Sequence, residues 1–143
     1  MEMKRVSAGE LWAIGYDVLM TNPDVHTTEQ CFENMEMVIV QDLFLNETAA
    51  FAHVFLPGTS FLEKDGTFTN AERRINRVRP AMRPRTGKQE WEVVCELSQA
   101  LGDPMHYASA AEIMDEIARL TPTFAGVSFA ALDAKGSVQW PCN

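Results

Sequence analysis

The chain has 143 residues and a formal net charge of −8, from 12 Lys and Arg against 20 Asp and Glu. So acidic a chain is a poor partner for a nucleic-acid backbone or an anionic membrane surface, because both are negatively charged. The hydrophobic fraction of 46% and the charged fraction of 22% exclude a disordered chain, and the length corresponds to one domain at most.

Hydropathy and cysteine usage exclude further classes. The densest apolar run, Met37 to Val40, is far shorter than the ~18 residues of a membrane span, and the N-terminus does not resemble a secretory signal. The three cysteines, Cys31, Cys95 and Cys142, include no C-x-x-C pair, which argues against a disulfide framework, a zinc site or an iron–sulfur site. We expect no metal site, a cytoplasmic setting, and buried positions for Cys31 and Cys95 among apolar helix residues and for Cys142 near the end of the chain.

Residues 1–60 predict a βαβ core. The short apolar run Leu11 to Ile14 predicts a buried strand, followed by a loop over Gly15 to Asp24. Thr27 and Gln30 have the spacing of a capping box and predict a helix from Thr27 to Met35. The β-branched run from Met37 to Asp42 is typical of a strand buried on both faces, as in a parallel sheet under helices. A third strand is predicted at Val54 to Leu56, after a short helix capped by Asn46.

The rest of the chain divides in two. Residues 61–88 contain Gly66, two prolines and six arginines and show no dominant period, so they predict an irregular arm. Residues 89–143 predict a helical tail, in which Ser109 and Glu112 form a capping box for a helix over Ala110 to Leu120. Its apolar stripe is predicted to be Ile113, Ile117 and Leu120. The fold class is therefore α/β: an open, largely parallel sheet flanked by helices, resembling a dinucleotide-binding domain.

No pattern of catalytic residues stands out. The chain has no G-x-S-x-G motif, and its three histidines are scattered without metal-ligand spacing. We therefore assign no catalytic residue. A stand-alone enzyme acting on a nucleotide would need a nucleophile beside a base, and the sequence offers no such pair.

Nucleotide binding has more support from the predicted topology. In a βαβ unit, ligands lie beyond the carboxyl ends of the strands. The loop Gly15-Tyr16-Asp17 follows the first strand, and Gln41-Asp42 ends the second. A carboxylate at this position can accept hydrogen bonds from ribose hydroxyls or from the N1–H and amino group of guanine. The alternative is that Asp17 and Asp42 are turn-forming acids at strand ends.

Lys64 lies in the charged turn Glu63-Lys64-Asp65-Gly66. Its ammonium could reach a phosphate or a nucleotide edge, although a solvated turn lysine is the more common role. The arginines from Arg73 to Arg85 could instead form an interaction surface.

A series of motifs in the first two-thirds of the chain resembles a known group of enzymes. In order, they are Val38-Ile39-Val40-Gln41-Asp42, Asn46-Glu47-Thr48-Ala49, His53-Val54-Phe55-Leu56-Pro57, Glu63-Lys64-Asp65-Gly66-Thr67-Phe68 and Asn70-Ala71-Glu72-Arg73-Arg74. This order resembles the molybdopterin-dependent oxidoreductases of the dimethyl sulfoxide reductase superfamily. Later motifs, including Thr121-Pro122-Thr123-Phe124-Ala125-Gly126-Val127 and Gln139-Trp140-Pro141-Cys142, resemble the catalytic (alpha) subunits of formate dehydrogenases.

The resemblance implies that the chain is one segment of a larger subunit. The segment would hold one guanine dinucleotide arm of the bis(molybdopterin guanine dinucleotide) cofactor of molybdenum or tungsten. The whole enzyme would oxidise formate to CO₂, with iron–sulfur clusters elsewhere in the subunit, and the isolated chain would be inactive. Its partners would be the rest of the alpha subunit and electron-transfer subunits.

The resemblance also assigns cofactor-binding residues. Gly15, Tyr16 and Asp17 match a Gly-x-Asn/Asp-Pro loop, although Val18 replaces the usual proline. Gln41 and Asp42 match ribose and guanine contacts. The last two assigned residues are Lys64, in the Glu-Lys-x-Gly turn, and Glu90, just before a tryptophan. The alternative function is a non-catalytic docking module that does not bind nucleotide on its own.

Overall fold

Three parallel strands form the first unit of the chain, which extends to Gly58. They are β1 (Ala8–Ile14), β2 (Met35–Asp42) and β3 (Val54–Pro57), in the spatial order β1-β2-β3. The structure, a computed structural model, describes residues 8–142. Apolar β-branched residues suit a strand with neighbours on both sides, and the predicted α/β class with a parallel sheet is confirmed.

The helices of the first unit begin at aspartates. Helix α1 (Val18–Thr21) lies in the segment predicted as a loop, and the side chain of Asp17 caps it. Helix α2 (Val25–Glu33) begins after Asp24, whose carboxylate accepts a hydrogen bond from Thr27 N at 3.1 Å. The predicted cap at Thr27 is therefore wrong, because the aspartate three residues earlier already satisfies the first turn.

Alternation along β2 divides the sheet into two faces. Val38 and Val40 are fully buried and pack with Leu19 of α1 and Phe32 of α2. Since successive side chains of a strand point to opposite faces, Asp42 lies on this helix-covered face and Gln41 lies on the other. Burial of each large apolar side chain contributes about 1.5–3 kcal/mol.

The second unit, residues 59–143, contains an antiparallel sheet that the sequence did not indicate. Strands β4 (Gly66–Thr69) and β5 (Arg74–Val78) form a hairpin within the segment expected to be an irregular arm. Strand β6 (Ser137–Gln139) pairs with β5 on its other side. This second partner of β5 is about sixty residues away in sequence, and no local sequence pattern indicates such a pairing.

Three α-helices and the 3₁₀ helix Pro122–Phe124 complete the described part of the second unit. The α-helices are α3 (Glu90–Ala100), α4 (Ala110–Leu120) and α5 (Phe129–Lys135). The predicted cap of α4 is confirmed, because Ser109 accepts a hydrogen bond from Glu112 N. The predicted stripe of α4 is partly wrong: Met114 is the buried residue, whereas Ile117 and Leu120 are exposed.

The cysteines, all expected to be buried small apolar residues, occupy three different environments, and Cys142 is half-buried. Cys95 is buried, as expected. The prediction for Cys31 is wrong, because this residue is exposed and lines an open cavity of about 500 Å³ beside Phe32 and Met35. Its position on α2 is helical, but the turn of the helix directs it away from the core that Phe32 enters. Within residues 8–142, none of the helices combines the length and the apolar composition that a membrane span requires.

The guanidinium of Arg77 on β5 contacts several other segments of the second unit. Its guanidinium lies 3.6 Å from the ring centroid of Phe129 on α5. It donates to Asp65 Oδ1 at 2.7 Å and to the carbonyl of Gly66. Its Nε lies 3.4 Å from Asp133 Oδ1. Its side chain is only 10% exposed. A cation that is desolvated and paired in this way contributes more than an exposed one.

We expect Arg77→Met to lower the free energy of unfolding by roughly 1–3 kcal/mol, because it removes the charge-assisted bonds and the cation–π contact. Urea denaturation followed by tryptophan fluorescence measures the loss. Arg79→Met is the control: Arg79 also pairs with Asp133, but it is 60% exposed, so we expect a loss below about 1 kcal/mol. Equal losses in the two variants would contradict the role assigned to Arg77.

Candidate functional site

The carboxyl ends of the three parallel strands converge on one edge of the first unit. Gly15 N donates to Gln41 O at 2.8 Å, so the β1–β2 ladder continues into the loop after β1. Gly58 N donates to Asp42 O, also at 2.8 Å, so the β2–β3 pairing likewise extends into the residue after β3. The structure thus brings the loop from Gly15 to Asp17 beside the end of β2, as the topology predicts.

Gly15 makes the turn out of β1 possible. Its φ angle is +61°, in the left-handed region that favours glycine. Apart from its two chain neighbours, no described residue has an atom within 4 Å of the position that a Cβ would take, so the space in front of this turn is open. The following residue, Tyr16, is exposed. Backbone and aromatic surface are therefore both available to a ligand at this turn.

Asp17 organises the loops at the strand ends. Its Oδ1 accepts hydrogen bonds from Thr48 Oγ1 at 2.6 Å, from Thr48 N at 3.4 Å and from Met20 N at 3.2 Å. Its Oδ2 accepts from Glu47 N at 3.3 Å. Thr48 is fully buried, and its hydroxyl also accepts from Leu19 N. Asp17 therefore joins α1 to the 3₁₀ helix Thr48–Phe51.

These bonds stabilise the charged form of Asp17. Although desolvation raises the pKa of this carboxyl, hydrogen bonds from Thr48 and from the backbone of Met20 and Glu47 hold it below its usual value. Thr48 is a residue that sequence reasoning missed. Its only signal was its place in the Asn46-Glu47-Thr48-Ala49 motif, which carries no local indication of the contact with Asp17.

Asp42 is less fully occupied by protein donors. Its Oδ1 accepts from Leu43 N at 2.6 Å, and its Oδ2 accepts from Asn46 Nδ2 at 2.9 Å. A carboxylate has about four lone-pair directions, so each oxygen keeps one for a further donor. Asn46 in turn accepts from Ala49 N, which fixes the amide that orients Asp42.

Gln41, near the end of β2, is a polar residue that is almost completely buried. It is only 1% exposed, yet neither Nε2 nor Oε1 has a hydrogen-bond partner in the part of the chain that the structure describes. Its neighbours across the ladder are Ile14 on β1 and Leu56 on β3, whose side chains have no polar atom. Burying an unpaired amide costs about 1–3 kcal/mol. Stability therefore does not account for a glutamine at this position.

Lys64 and Glu90 form a separate group in the second unit. Lys64 Nζ donates to Glu90 Oε1 at 2.7 Å. The same carboxylate accepts from Thr59 N at 2.9 Å and from Thr59 Oγ1 at 2.5 Å. Although partial burial raises the pKa of Glu90, the bonds from Lys64 and Thr59 hold it below its usual value. Thr59 was not indicated by the sequence.

Comparisons with known proteins supply the family context. The family model described as molybdopterin oxidoreductase matches residues 2–100. A Staphylococcus aureus protein of strain bovine RF122, provisionally named a formate dehydrogenase, is 45% identical over 134 residues, which are 93% of this chain and 14% of that protein. A protein of strain USA300 with the same provisional name is 42% identical over 132 residues, covering 92% and 13%.

A solved structure shows the same fold. The acetylene hydratase of Pelobacter acetylenicus has a TM-score of 0.70 and 20% sequence identity, over 92% of this chain and 18% of that chain. The chain spans only 13–14% of the length of the two Staphylococcus aureus proteins.

The bonds to Asp17 predict an acid dependence of stability. Because its pKa in the folded chain lies below the unfolded value of 3.8, this contribution is complete above that pH and is lost as the pH falls through the folded pKa. We expect Asp17→Asn to flatten the decline in unfolding free energy below about pH 4. Urea denaturation between pH 2 and pH 7 measures it. Glu29→Gln, an exposed change on α2, is the control, and an identical decline in both variants would contradict the assignment.

Proposed function

Because the chain belongs to the molybdopterin oxidoreductase family, we propose that it binds one guanine dinucleotide arm of a molybdopterin cofactor. The observation that carries the proposal is the buried amide of Gln41, which has no hydrogen-bond partner among the described residues, at the strand end where the half-occupied carboxylate of Asp42 follows on the opposite face. Guanine and ribose carry several donors and acceptors, which could pair with the amide of Gln41 and add to the two protein donors of Asp42. The open turn at Gly15 supports the same proposal.

The seven residues assigned from the sequence take different parts in this proposal. Asp42 accepts hydrogen bonds from the nucleotide, and Gln41 offers an amide from the opposite side of the strand. Gly15 and Tyr16 allow close approach at the turn. Asp17 acts mainly through Thr48, because four hydrogen bonds already occupy it. Lys64 and Glu90 belong to the second unit, where we propose a further contact with the cofactor.

The activity of the whole protein is the broader part of the proposal. We propose a formate dehydrogenase catalytic subunit that oxidises formate to CO₂, a proton and two electrons, with partners that carry the electrons onward through iron–sulfur clusters. The cofactor, when bound, supplies the redox chemistry of molybdenum or tungsten. The residues of this chain bind and orient it, so we expect the isolated chain to be inactive. The names of the curated relatives support this proposal.

A docking module without nucleotide binding is the second candidate. The run Leu43-Phe44-Leu45 follows Asp42, and its last two side chains are 76% and 77% exposed. Contiguous exposed apolar residues of this kind mark interaction surfaces. A cooperatively folded chain that binds none of the nucleotides tested below would favour this candidate.

Calorimetric titration with GMP and GDP, with AMP as the reference ligand, tests the proposal. We expect guanine-selective binding that Asp42→Ala weakens by about tenfold or more, because a carboxylate that accepts two donors is lost. Glu36→Ala is the matched control, since it removes the same charge from an exposed position at the other end of β2. Equal affinities in Asp42→Ala and Glu36→Ala would refute the assignment.

Gln41→Leu should separate stability from binding. Leucine has a similar size and no amide to bury, so we expect the unfolding free energy to stay equal or to rise by about 1 kcal/mol. GDP affinity should nevertheless fall by roughly tenfold, since a hydrogen-bonding partner is removed. Gln99→Leu is the control: its amide bonds Met105 O at the surface, so its loss should lower stability slightly and leave affinity unchanged. Unaltered GDP affinity in Gln41→Leu would count against a ligand role.

A further inference from the structure

The cations of the chain are concentrated in one segment of the second unit, which contains none of the residues assigned to the cofactor. Residues 73–88 contain seven Lys and Arg and no Asp or Glu. The rest of the chain has five Lys and Arg against 20 Asp and Glu. An acidic partner is therefore repelled by most of the molecule and attracted to this segment, because the sign of the local charge decides where it can bind.

Two exposed arginines of this segment, Arg83 and Arg85, have no acidic partner within residues 8–142. The ion pairs of the segment involve Arg74, Arg77, Arg79 and Lys88 instead. Glu63 is only 7% exposed, and it accepts the backbone N–H of Arg85 at 2.8 Å rather than its guanidinium. Both guanidiniums are thus available to carboxylates of another molecule, which arginine can bind through two parallel hydrogen bonds.

Exposed apolar side chains accompany these arginines. Met82 N donates to Leu62 O at 3.0 Å, which places the segment alongside the turn that contains Phe61. Phe61, Leu62 and Met82 are 60%, 43% and 53% exposed. These three residues, together with Arg83 and Arg85, are termed the arm surface. Aromatic residues, Met and Arg are enriched where proteins bind one another, so this composition indicates a protein partner rather than a simple anion.

The backbone of the arm surface is held in place by the chain itself. Ala81 N donates to Leu62 O at 2.7 Å, and Gly87 N donates to Pro84 O at 3.0 Å. Pro80 and Pro84 also restrict the backbone, because the proline ring fixes φ. A surface that is already ordered loses little conformational entropy when a partner binds. The arm surface therefore meets this requirement for a docking site.

We propose that the arm surface binds an acidic, amphipathic segment of a partner protein. Carboxylates of the partner pair with Arg83 and Arg85. Its apolar side chains cover Phe61, Leu62 and Met82. A narrow segment can contact the arm surface without meeting the acidic remainder of the chain, whereas a broad anionic membrane would meet both. The inference does not depend on nucleotide binding, because none of these residues is assigned to the cofactor.

Fluorescence anisotropy with a labelled synthetic helix of Glu and Leu, whose leucines form one stripe, measures this binding. We expect saturable binding to the striped peptide. A peptide of the same composition with its leucines spread around the helix should bind much more weakly, and a striped Lys and Leu peptide should not bind. Equal binding of the two Glu peptides would overturn the proposal, because attraction between charges alone would explain it. Absence of binding to the striped Glu peptide would overturn it as well.

Paired substitutions locate the charged part of the contact. Arg83→Gln combined with Arg85→Gln should weaken binding of the striped Glu peptide by about fivefold to tenfold, because two exposed charge pairs are lost. Arg74→Gln combined with Arg119→Gln is the matched control. It removes the same charge from exposed arginines that already have an acidic neighbour, and it should leave the affinity nearly unchanged. Equal weakening in the two double variants would overturn the proposal.

Met82→Ser tests the apolar part of the contact. We expect about fivefold to tenfold weaker binding of the striped Glu peptide, because the apolar area that the peptide covers becomes smaller. Met20→Ser is the control, since Met20 is 77% exposed on α1 in the first unit, and its affinity should equal that of the unsubstituted chain. Unchanged affinity in Met82→Ser would mean that the arm surface attracts acids without a specific fit, contrary to the proposal.

Charge reversal and lipid vesicles complete the test. Arg83→Glu combined with Arg85→Glu should abolish binding of the striped Glu peptide and create binding of the striped Lys peptide. Sedimentation with phosphatidylcholine vesicles that contain phosphatidylserine should recover no bound protein. Vesicle binding that is lost on neutralising Arg83 and Arg85 would overturn the proposal in favour of a lipid surface.

Discussion

The parallel pairing of β2 with both of its neighbours is the constraint on which the first unit depends. Hydrogen bonds from Gly15 N to Gln41 O and from Gly58 N to Asp42 O extend the ladders to the last residues of β2. They fix the turns after β1 and β3 at the same edge. The polar residues that end β2 consequently lie beside the turn at Gly15, at the edge of the sheet where open parallel sheets generally bind ligands.

Asp17, Asp42 and Glu90 have different roles because protein hydrogen bonds occupy their carboxylate oxygens to different extents. Asp17 accepts four protein hydrogen bonds and Glu90 accepts three, so both act chiefly as organisers of neighbouring groups. Asp42 accepts two and retains capacity for a ligand. Residue type and place in a motif cannot distinguish these cases, because the donors come from Thr48 and Thr59, about thirty residues away in each case.

Gln41 is a polar residue at a position where burial opposes stability. A leucine would suit its position between Ile14 and Leu56 better than a buried amide that has no partner within residues 8–142. The strand can tolerate the amide because Val38 and Val40 on the other face are fully buried against α1 and α2. Stability supplied by one face of β2 thus permits a costly polar group on the other.

Sequence alone determined the parallel strands, the cap of α4 and the positions of Gly15, Gln41 and Asp42 at strand ends, because apolar runs and capping residues are local signals. Resemblance of the motifs pointed to the family, which the comparisons confirm. Tertiary structure decided what no local pattern carries: the pairing of β5 with β6, the exposure of Cys31 and the donors that occupy Asp17 and Glu90. Those features depend on contacts between residues far apart in the chain, which only folding brings together.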